Sequence, residues 1–468
     1  MIAPIRWCGL VASIACTAFF GGWATETPRN VPVLYKHVEV PPDFCRTAEV
    51  DGEPVRFGGD IRMGDLTGDG VPDFIVYRSV EDAHDGGGMK PCFLGAFTLD
   101  GKALWSTGEG GEQPSRPGPV AIHDIDGDGQ SEVVHFWHVP DIEAKAGSMA
   151  DVCLQIRDGK TGELERAAAP EPFRACTGHG PNWVHQRILL ADFRGLGTPG
   201  DFVVKLGARV LAFDGRLNLL WQYTSPWTAY GHCPAYIPSV GDLDADGKDE
   251  VNGGYFMLDD DGTVRWQGDI ARHMDSVAVR RWDNGNMRAI CSGFGHVLDA
   301  DGNVILKLGK DEVPHGQEVR TGWFTREAPG PQMVLRFNAH TPVIKLVDST
   351  GTVLRTLEIN PTRNNTGMET VWWRDRQNPA LLYNGGRLWD LETGGFMELP
   401  GLPEPRGVGR MAWYHCIPAN VCGDAREEVV LYNPWSTKVY IYTPAPLASG
   451  VFEGYAPGPR QYNVRLMD

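Results

Sequence analysis

The stretch ADFRGLGTPGDFVVKLGARVLAFDGRLNLLWQY, from Ala191 to Tyr223, decides the fold of this chain. It reads as an acidic loop, an apolar run, a second apolar run, a tight Asp-Gly turn and a third run. Runs rich in Val, Leu, Phe and Trp that are broken by Gly and Asp are typical of short β-strands joined by hairpins. Helical periodicity is hard to find anywhere in the sequence. The stretch therefore predicts an all-β unit.

The same unit recurs along the chain. Three acidic loops match closely: DLTGDGVPD from Asp65, DIDGDGQSE from Asp124 and DLDADGKDE from Asp242. Five degenerate copies begin at or near Asp192, Trp282, Phe324, Trp373 and Asn420. Repeats of four strands at this spacing are typical of the blades of a β-propeller. We predict a single eight-bladed β-propeller over residues 30–468, with seven blades as the alternative because the last copy lacks a clear final hairpin. VPVLYKHVEV (31–40) or YNVRLMD (462–468) could complete that blade.

Charge and the N-terminal residues bound the possible partners and the location. The formal net charge of -17 excludes nucleic acid as a general partner, because phosphate binding needs a basic surface. Residues 1–24 combine an early Arg6, an apolar run and a plausible cleavage site after Ala24, which predicts a signal peptide and a secreted or periplasmic protein. No other run is apolar enough to span a membrane. We expect a monomer, and the remaining cysteines could be disulfide-bonded or free.

The three close copies carry oxygen-bearing side chains at loop positions one, three, five and nine, with Gly after the fifth. Hard oxygen ligands in a short, sharply turning loop suit Ca²⁺. We predict structural calcium in these loops, and Asx turns without metal in the degenerate copies. The predicted ligand residues are Asp65, Thr67, Asp69, Asp73, Asp124, Asp126, Asp128, Glu132, Asp242, Asp244, Asp246 and Glu250.

Histidines fall at the predicted entrances of the inner strands. In a propeller the acidic loop follows the inner strand, so the segment before that strand lies at one rim of the central channel. At least six of the thirteen histidines fall at this rim. His135 and His138 lie at the far end of a second strand, which returns to the same rim. The other predicted rim residues are Trp183, His185, Tyr230, His232, Tyr236, Arg272, His273, His315, Arg363 and Asn365.

The residue types at this rim favour one kind of chemistry. Paired carboxylates, which most glycoside hydrolases need, are not found outside the acidic loops. His, Tyr and Arg suit β-elimination on a uronic acid. A cation neutralises the uronate carboxylate, and a Tyr or His removes the acidified proton. A second Tyr or His protonates the departing glycosidic oxygen.

NWVHQRILLADFRG, AYIPSVGDLDADGKDEV and RNNTGMETVWW resemble segments of the propeller polysaccharide lyases. The ulvan lyases are the nearest in character and the calcium-binding rhamnogalacturonan lyases resemble the chain more loosely; the former are seven-bladed and the latter eight-bladed. The resemblance implies His185 and Tyr230 as the facing catalytic pair, with His138 or His135 as a second histidine. It leaves the neutralising arginine open among Arg187, Arg272 and Arg363. It also implies a possible structural Zn²⁺, for which the candidate ligands are His273, Cys291, His315, His415 and Cys416.

Three interpretations remain open at this point. The first is an exported lyase that cleaves an acidic polysaccharide, which contains uronate with or without neighbouring rhamnose. The second is a related propeller hydrolase that acts through the same histidines. The third is a non-catalytic binding or adhesion propeller, similar to the calcium-loop repeats of integrin heads, which would need no histidine rim.

Overall fold

The computed structural model describes residues 30–80, 90–114, 116–144, 148–175, 187–363, 365–446 and residue 455. The regular secondary structure of the described residues is almost entirely β-strand and starts with β1 (Val31–Glu39), followed by a hairpin of β2 (Arg46–Val50) and β3 (Glu53–Phe57). The predicted signal peptide, residues 1–24, lies outside the described residues. Within the described ranges, no helix has the length and apolar character needed to cross a membrane.

In the part of the chain that the structure describes, all strands except β2 and β3 belong to eight four-stranded antiparallel sheets. The predicted eight-bladed β-propeller is confirmed. The first four blades contain β4 (Asp60–Gly64), β5 (Asp73–Ser79), β6 (Pro91–Phe97), β7 (Ala103–Gly108), β8 (Val120–His123), β9 (Glu132–His138), β10 (Val152–Asp158), β11 (Leu164–Ala168), β12 (Leu189–Ala191), β13 (Asp201–Leu206), β14 (Arg209–Asp214), β15 (Leu219–Thr224), β16 (Ser239–Gly241), β17 (Glu250–Asn252), β18 (Phe256–Leu258) and β19 (Val264–Gln267).

Blades five to eight complete the ring. Their strands are β20 (Val277–Arg281), β21 (Met287–Cys291), β22 (His296–Leu298), β23 (Val304–Lys307), β24 (Glu318–Gly322), β25 (Gln332–Arg336), β26 (Val343–Asp348), β27 (Val353–Glu358), β28 (Glu369–Val371), β29 (Leu381–Asn384), β30 (Arg387–Asp390), β31 (Gly395–Glu398), β32 (His415–Ala419), β33 (Glu428–Tyr432) and β34 (Lys438–Ala445). The described helical segments are single turns: α1 (Glu171–Arg174) and 3-10 turns at Pro42–Phe44, Asp283–Gly285 and Gly293–Gly295.

Residues 191–223 form most of blade three, and their burial follows from the position of this blade between two neighbouring blades. Every residue of β13 is buried. Alternate side chains of a strand point to opposite faces, so Phe202 and Val204 pack towards blade two while Val203 packs towards blade four. The outer strand β15 alternates exposed and half-buried residues. A continuous apolar run therefore indicates a strand between two blades, and a mixed run indicates an outer strand.

The N-terminal strand closes the ring. β1 pairs antiparallel with β34, from Val31 opposite Ala445 to Glu39 opposite Lys438, so VPVLYKHVEV supplies the fourth strand of blade eight. A buried hydrogen bond of 2.9 Å from the Tyr432 hydroxyl to Asp60 Oδ1 joins blade eight to blade one. Because β1 supplies the fourth strand of blade eight, the last repeat lacks its own final hairpin.

The connections divide between two rims. The loops between the first and second strands of each blade, which include the loops from Asp65, Asp124 and Asp242, form one rim, called here the acidic rim. The segments that lead into the inner strands, together with the turns between second and third strands, form the opposite rim, called here the entrance rim. Side chains that are distant in sequence can therefore meet at the entrance rim.

Candidate active site

Five side chains meet at the entrance rim where blades four, five and six begin: Tyr230, Tyr236, His273, Asp275 and His315. The two tyrosines lie between β15 and β16, His273 and Asp275 lie between β19 and β20, and His315 precedes β24. Backbone hydrogen bonds hold two of these segments together, because His273 N donates to Gly231 O and Met274 N donates to Cys233 O. The ring of blades thus brings three successive connections to one place.

Asp275 is the centre of this cluster. Its carboxylate is 2 % exposed, and Oδ2 lies 3.2 Å from Nε2 of His273 and 3.0 Å from Nε2 of His315. Burial acts to raise the pKa of Asp275, but the two imidazoles outweigh it and hold the pKa below its ordinary value. The imidazole rings contact each other edge to face, with centroids 4.5 Å apart. One ionised carboxylate therefore fixes the orientation of both histidines.

The two tyrosines form a directed pair. The Tyr236 hydroxyl donates a hydrogen bond of 2.8 Å to the Tyr230 hydroxyl. Burial, the nearby charge of Asp275 and this hydrogen bond raise the pKa of Tyr236 far above its ordinary value, so Tyr236 remains a donor. Tyr230 is 62 % exposed, and its ring centroid lies 5.3 Å from that of His273. The phenol of Tyr230 is thus open to a ligand. It also accepts a hydrogen bond from Tyr236 that can stabilise its phenolate.

The neighbouring predicted residues His232 and Arg272 are also exposed. Nδ1 of His232 lies 3.2 Å from Oδ2 of Asp269. Arg272 directly precedes His273, and its carbonyl accepts a hydrogen bond from the Tyr255 hydroxyl, which anchors the backbone while the side chain stays exposed. Arg272 is therefore a cation available beside the cluster.

His138 and His135 do not join this cluster. His138 lies at the end of β9, with Nε2 3.5 Å from Oδ2 of Asp151, and the same Oδ2 accepts a hydrogen bond of 2.8 Å from Lys90. Burial lowers the pKa of His138 despite the charge of Asp151. His135 is fully buried, its Nδ1 contacts Phe136 O at 2.7 Å, and burial lowers its pKa to about 3. The expectation that His135 reaches the rim is wrong, because its side chain lies inside blade two.

The other predicted site residues that the structure describes do not lie in the cluster. Arg187 is 4 % exposed and donates to Pro117 O in the segment that leads into blade two, so the suggestion that it neutralises a substrate carboxylate is wrong. Arg363 is exposed at the entrance to blade seven, where Asn365 Oδ1 accepts a hydrogen bond of 3.0 Å from Thr362 N. His185 and Trp183 lie outside the described residues, so His185 stays a prediction.

The acidic loops converge in two of the three close copies. Carboxylate oxygens of Asp124, Asp126 and Glu132 lie within 4.8 Å of one another, as do those of Asp242, Asp244 and Asp246. In the third copy, Asp65 and Asp73 accept hydrogen bonds from loop backbone amides. The Asp242 loop fits a cation best, because Asp242 Oδ1 and Glu250 Oε1 are buried without a hydrogen-bond partner. Arg166 lies 3.2 Å from Asp126, and Arg265 pairs with Asp244, so each loop is already partly neutralised.

The residues considered for zinc lie in two parts of the ring. His273 and His315 come together, and they do so with Asp275, which completes a group of three ligand atoms within 4.8 Å. Cys291 is fully buried in blade five, while His415 and Cys416 are buried in blade eight. All seven described cysteines are free thiols. The donor set that suits a transition metal is therefore His273, Asp275 and His315.

A buried lysine lies beside these connections. Lys205 in β13 is 3 % exposed, faces the same blade interface as Val203, and has Cys233 as its neighbouring titratable group. It forms no ion pair or hydrogen bond with a described residue, and burial lowers its pKa to about 8. An isolated buried ammonium is destabilising.

Replacing Lys205 with methionine is expected to stabilise the protein by about 2–3 kcal/mol at pH 7. Because the pKa of Lys205 is about 8 in the folded state, below the ordinary value of about 10.4, the folded state loses the proton first. The penalty is complete below about pH 8 and fades as the pH rises to about 10.4. Urea unfolding of Lys205→Met at pH 7 and pH 10 tests this. Exposed Lys160→Met should change little, and equal stability of Lys205→Met and wild type at pH 7 would contradict the argument.

No family model matches the chain. Two curated relatives come from Bacillus subtilis strain 168. The rhamnogalacturonan exolyase YesX is 27% identical over 458 residues, which are 86% of this chain and 74% of the relative. The rhamnogalacturonan endolyase YesW is 24% identical over 427 residues, which are 82% of this chain and 67% of the relative. The chain is a propeller polysaccharide lyase.

The fold of this lyase is also similar to a solved structure. The Bacillus licheniformis rhamnogalacturonan lyase PL11 matches with a TM-score of 0.66 and 20% identity, covering 87% of this chain and 75% of that one. That structure supports the fold. The two curated relatives confirm the predicted enzyme class, and of the two predicted resemblances they support the looser one, to rhamnogalacturonan lyases.

Sequence reasoning missed Asp275. It lies two residues after His273 in ARHMDS, and residues i and i+2 of an extended segment point the same way. A single carboxylate between two histidines does not match the pair of carboxylates that a hydrolase requires. The His-x-Asp spacing next to a predicted inner strand was the signal that could have found it.

Proposed function

We propose that this lyase cleaves a rhamnose- and uronate-containing pectin of the rhamnogalacturonan type by β-elimination at the Tyr230–His273–Asp275–His315 cluster. The observation that carries the proposal is the exposed Tyr230 hydroxyl, which accepts a hydrogen bond from Tyr236 beside two imidazoles fixed by Asp275. The substrate class of the two curated relatives supports the choice of glycan.

In the proposed reaction Arg272 neutralises the uronate carboxylate and so acidifies the proton on C5 of the ring. Tyr230, as phenolate, removes that proton while Tyr236 stabilises the phenolate by its hydrogen bond. The electrons form the C4=C5 double bond as the bond from C4 to the glycosidic oxygen breaks. An imidazole of His273 or His315, oriented by Asp275, delivers a proton to the departing oxygen. No other reactant is required.

His232 belongs to the proposal as a substrate contact beside this centre, and His185 stays the alternative catalytic residue. The other proposed substrate contacts are His138 at the end of β9, and Arg363 and Asn365 at the entrance to blade seven. We further propose that Ca²⁺ binds the acidic loops, where it stabilises turns on the rim opposite the cluster. A divalent ion of the zinc type is a competing occupant of the His273, Asp275 and His315 set, because an imidazole that binds the ion cannot also be the proton donor. The protein is proposed to be a monomer that is exported after cleavage of residues 1–24.

Incubation with rhamnogalacturonan should give an unsaturated product, detected by its ultraviolet absorbance, in parallel with new reducing ends. The enzyme for this assay is the mature protein recovered from the medium, and an N-terminus at Thr25 checks the export. New reducing ends without absorbance would indicate a hydrolase, and neither signal would favour a binding propeller. Ulvan serves as the comparison substrate, on which we expect a much lower rate.

A further inference from the structure

A groove on the entrance rim over blades seven and eight is separate from the cluster. It consists of two adjoining cavities of about 380 Å³ and about 360 Å³, which share Pro403, Glu404 and Tyr414 in their linings. Its walls come from the connection before β28, the turn between β29 and β30, the connection before β32 and the turn between β33 and β34. We call it the distal groove. It lies on the same rim as the cluster, which occupies the entrances to blades four to six.

The distal groove is basic, although the whole chain is acidic. Five basic side chains and two acidic ones line it, whereas the formal net charge of the chain is -17. The lining residues of either sign are Arg56, Arg363, Arg387, Arg406, Lys438, Glu398 and Glu404. A positive groove on a negative protein concentrates an anionic ligand at that place.

Two of these cations are available to a ligand. Arg387 lies 2.8 Å from Glu398, Lys438 lies 2.8 Å from Glu39, and Arg56 donates to Pro42 O. Arg363 and Arg406 are exposed, and neither guanidinium group forms an ion pair or a hydrogen bond with a described residue.

The backbone beneath Arg406 is fixed. Arg406 O accepts a hydrogen bond of 2.8 Å from Asn433 Nδ2. The next residue, Gly407, has φ +107° and packs so closely on Trp435 that an added Cβ would lie 2.1 Å from the ring. Only glycine fits there, so the guanidinium of Arg406 projects from an ordered segment. A charged group on an ordered backbone loses less entropy when it binds a ligand.

We propose that the distal groove is a subsite that binds a uronate-bearing stretch of the polysaccharide away from the bond that is cleaved; this rests on the proposed function. Arg363 and Arg406 receive uronate carboxylates, a geometry that guanidinium groups match with two hydrogen bonds. The exposed Glu404 accepts hydrogen bonds from sugar hydroxyls. A polymer long enough to reach from blade five to blade eight gains affinity, and a short oligosaccharide does not.

The test compares Arg406→Gln with wild type on polymeric rhamnogalacturonan and on the shortest oligosaccharide that the enzyme cleaves. The ratio of KM for the polymer to KM for the short substrate should rise about fivefold, because an exposed charge-assisted contact is lost. Arg216→Gln, an exposed arginine at the turn between β14 and β15 on the acidic rim, is the matched control and should leave the ratio unchanged. An unchanged ratio in Arg406→Gln overturns the proposal.

A binding measurement separates this inference from the proposed function. A trisaccharide of galacturonic acid, which has no rhamnose, should bind to wild type by calorimetry and about fivefold more weakly to Arg406→Gln. Should wild type make no unsaturated product, the proposed function fails, and weaker trisaccharide binding by the variant would still support an anionic glycan subsite. Equal binding by wild type and variant, or no binding by either, overturns the groove proposal.

Discussion

Replacing Tyr230 with phenylalanine is expected to lower kcat by about a thousandfold, the contribution typical of a positioned acid or base. The change removes the hydroxyl that accepts the hydrogen bond from Tyr236 and that we propose removes the C5 proton. Because the side chain is 62 % exposed, the melting temperature should stay within about a degree of wild type. KM should change little, since phenylalanine keeps the ring that lies beside His273. Initial rates of unsaturated product formation and a thermal melt measure both quantities.

Tyr223→Phe is the matched control. Its hydroxyl donates a 3.2 Å hydrogen bond to Gln267, and both residues lie on the outer strands of blades three and four, so its loss should leave kcat unchanged. Activity of Tyr230→Phe near that of wild type would show that the base lies elsewhere, and His185 would then be the first residue to replace.

Much of the fold could be predicted because the loop, the strand and the hairpin of each repeat all indicate the same four-stranded unit. Acidic loop, buried strand and Asp-Gly hairpin recur together, and the eight copies correspond to the eight blades. The closing blade stayed ambiguous because its fourth strand comes from the other end of the chain. Pairing between β1 and β34 is set by tertiary contact, and two candidate segments had suitable strand patterns.

The site was predictable as a location and less so as a set of residues. The rule that inner strands begin at a common rim brought together Tyr230, Tyr236, His273 and His315. The rule does not say which way a side chain points within a blade. It therefore could not predict that His135 and Arg187 are buried. Asp275 could be assigned only from geometry, since its role depends on two imidazoles that approach the same oxygen from different blades.

Removing calcium is expected to lower the stability of the protein far more than its activity at room temperature. A loop that binds Ca²⁺ only in the folded state gains about 2.7 kcal/mol when free Ca²⁺ exceeds Kd a hundredfold. The loops from Asp124 and Asp242, whose carboxylates converge, should each gain stability in this way. They lie on the acidic rim, opposite Tyr230 and His273, so catalysis needs them only to keep the fold. Thermal melts and initial rates with and without a chelator compare the two effects.

The Glu250→Gln variant tests whether the loop from Asp242 binds Ca²⁺. Glu250 Oε2 accepts a hydrogen bond from Leu243 N, which glutamine can retain, while Oε1 is buried without a partner next to other carboxylates. Burial raises the pKa of Glu250 to about 8, so the carboxylate is charged without metal only above that pH. In chelator at pH 9 the variant should therefore melt at a higher temperature than wild type, because an unpaired buried charge is gone. With Ca²⁺ present it should melt lower, because one ligand is neutral. If the two melting temperatures keep the same order under both conditions, this loop binds no calcium. If chelator abolishes turnover of wild type without lowering its stability, the calcium ion that matters for activity binds at the entrance rim.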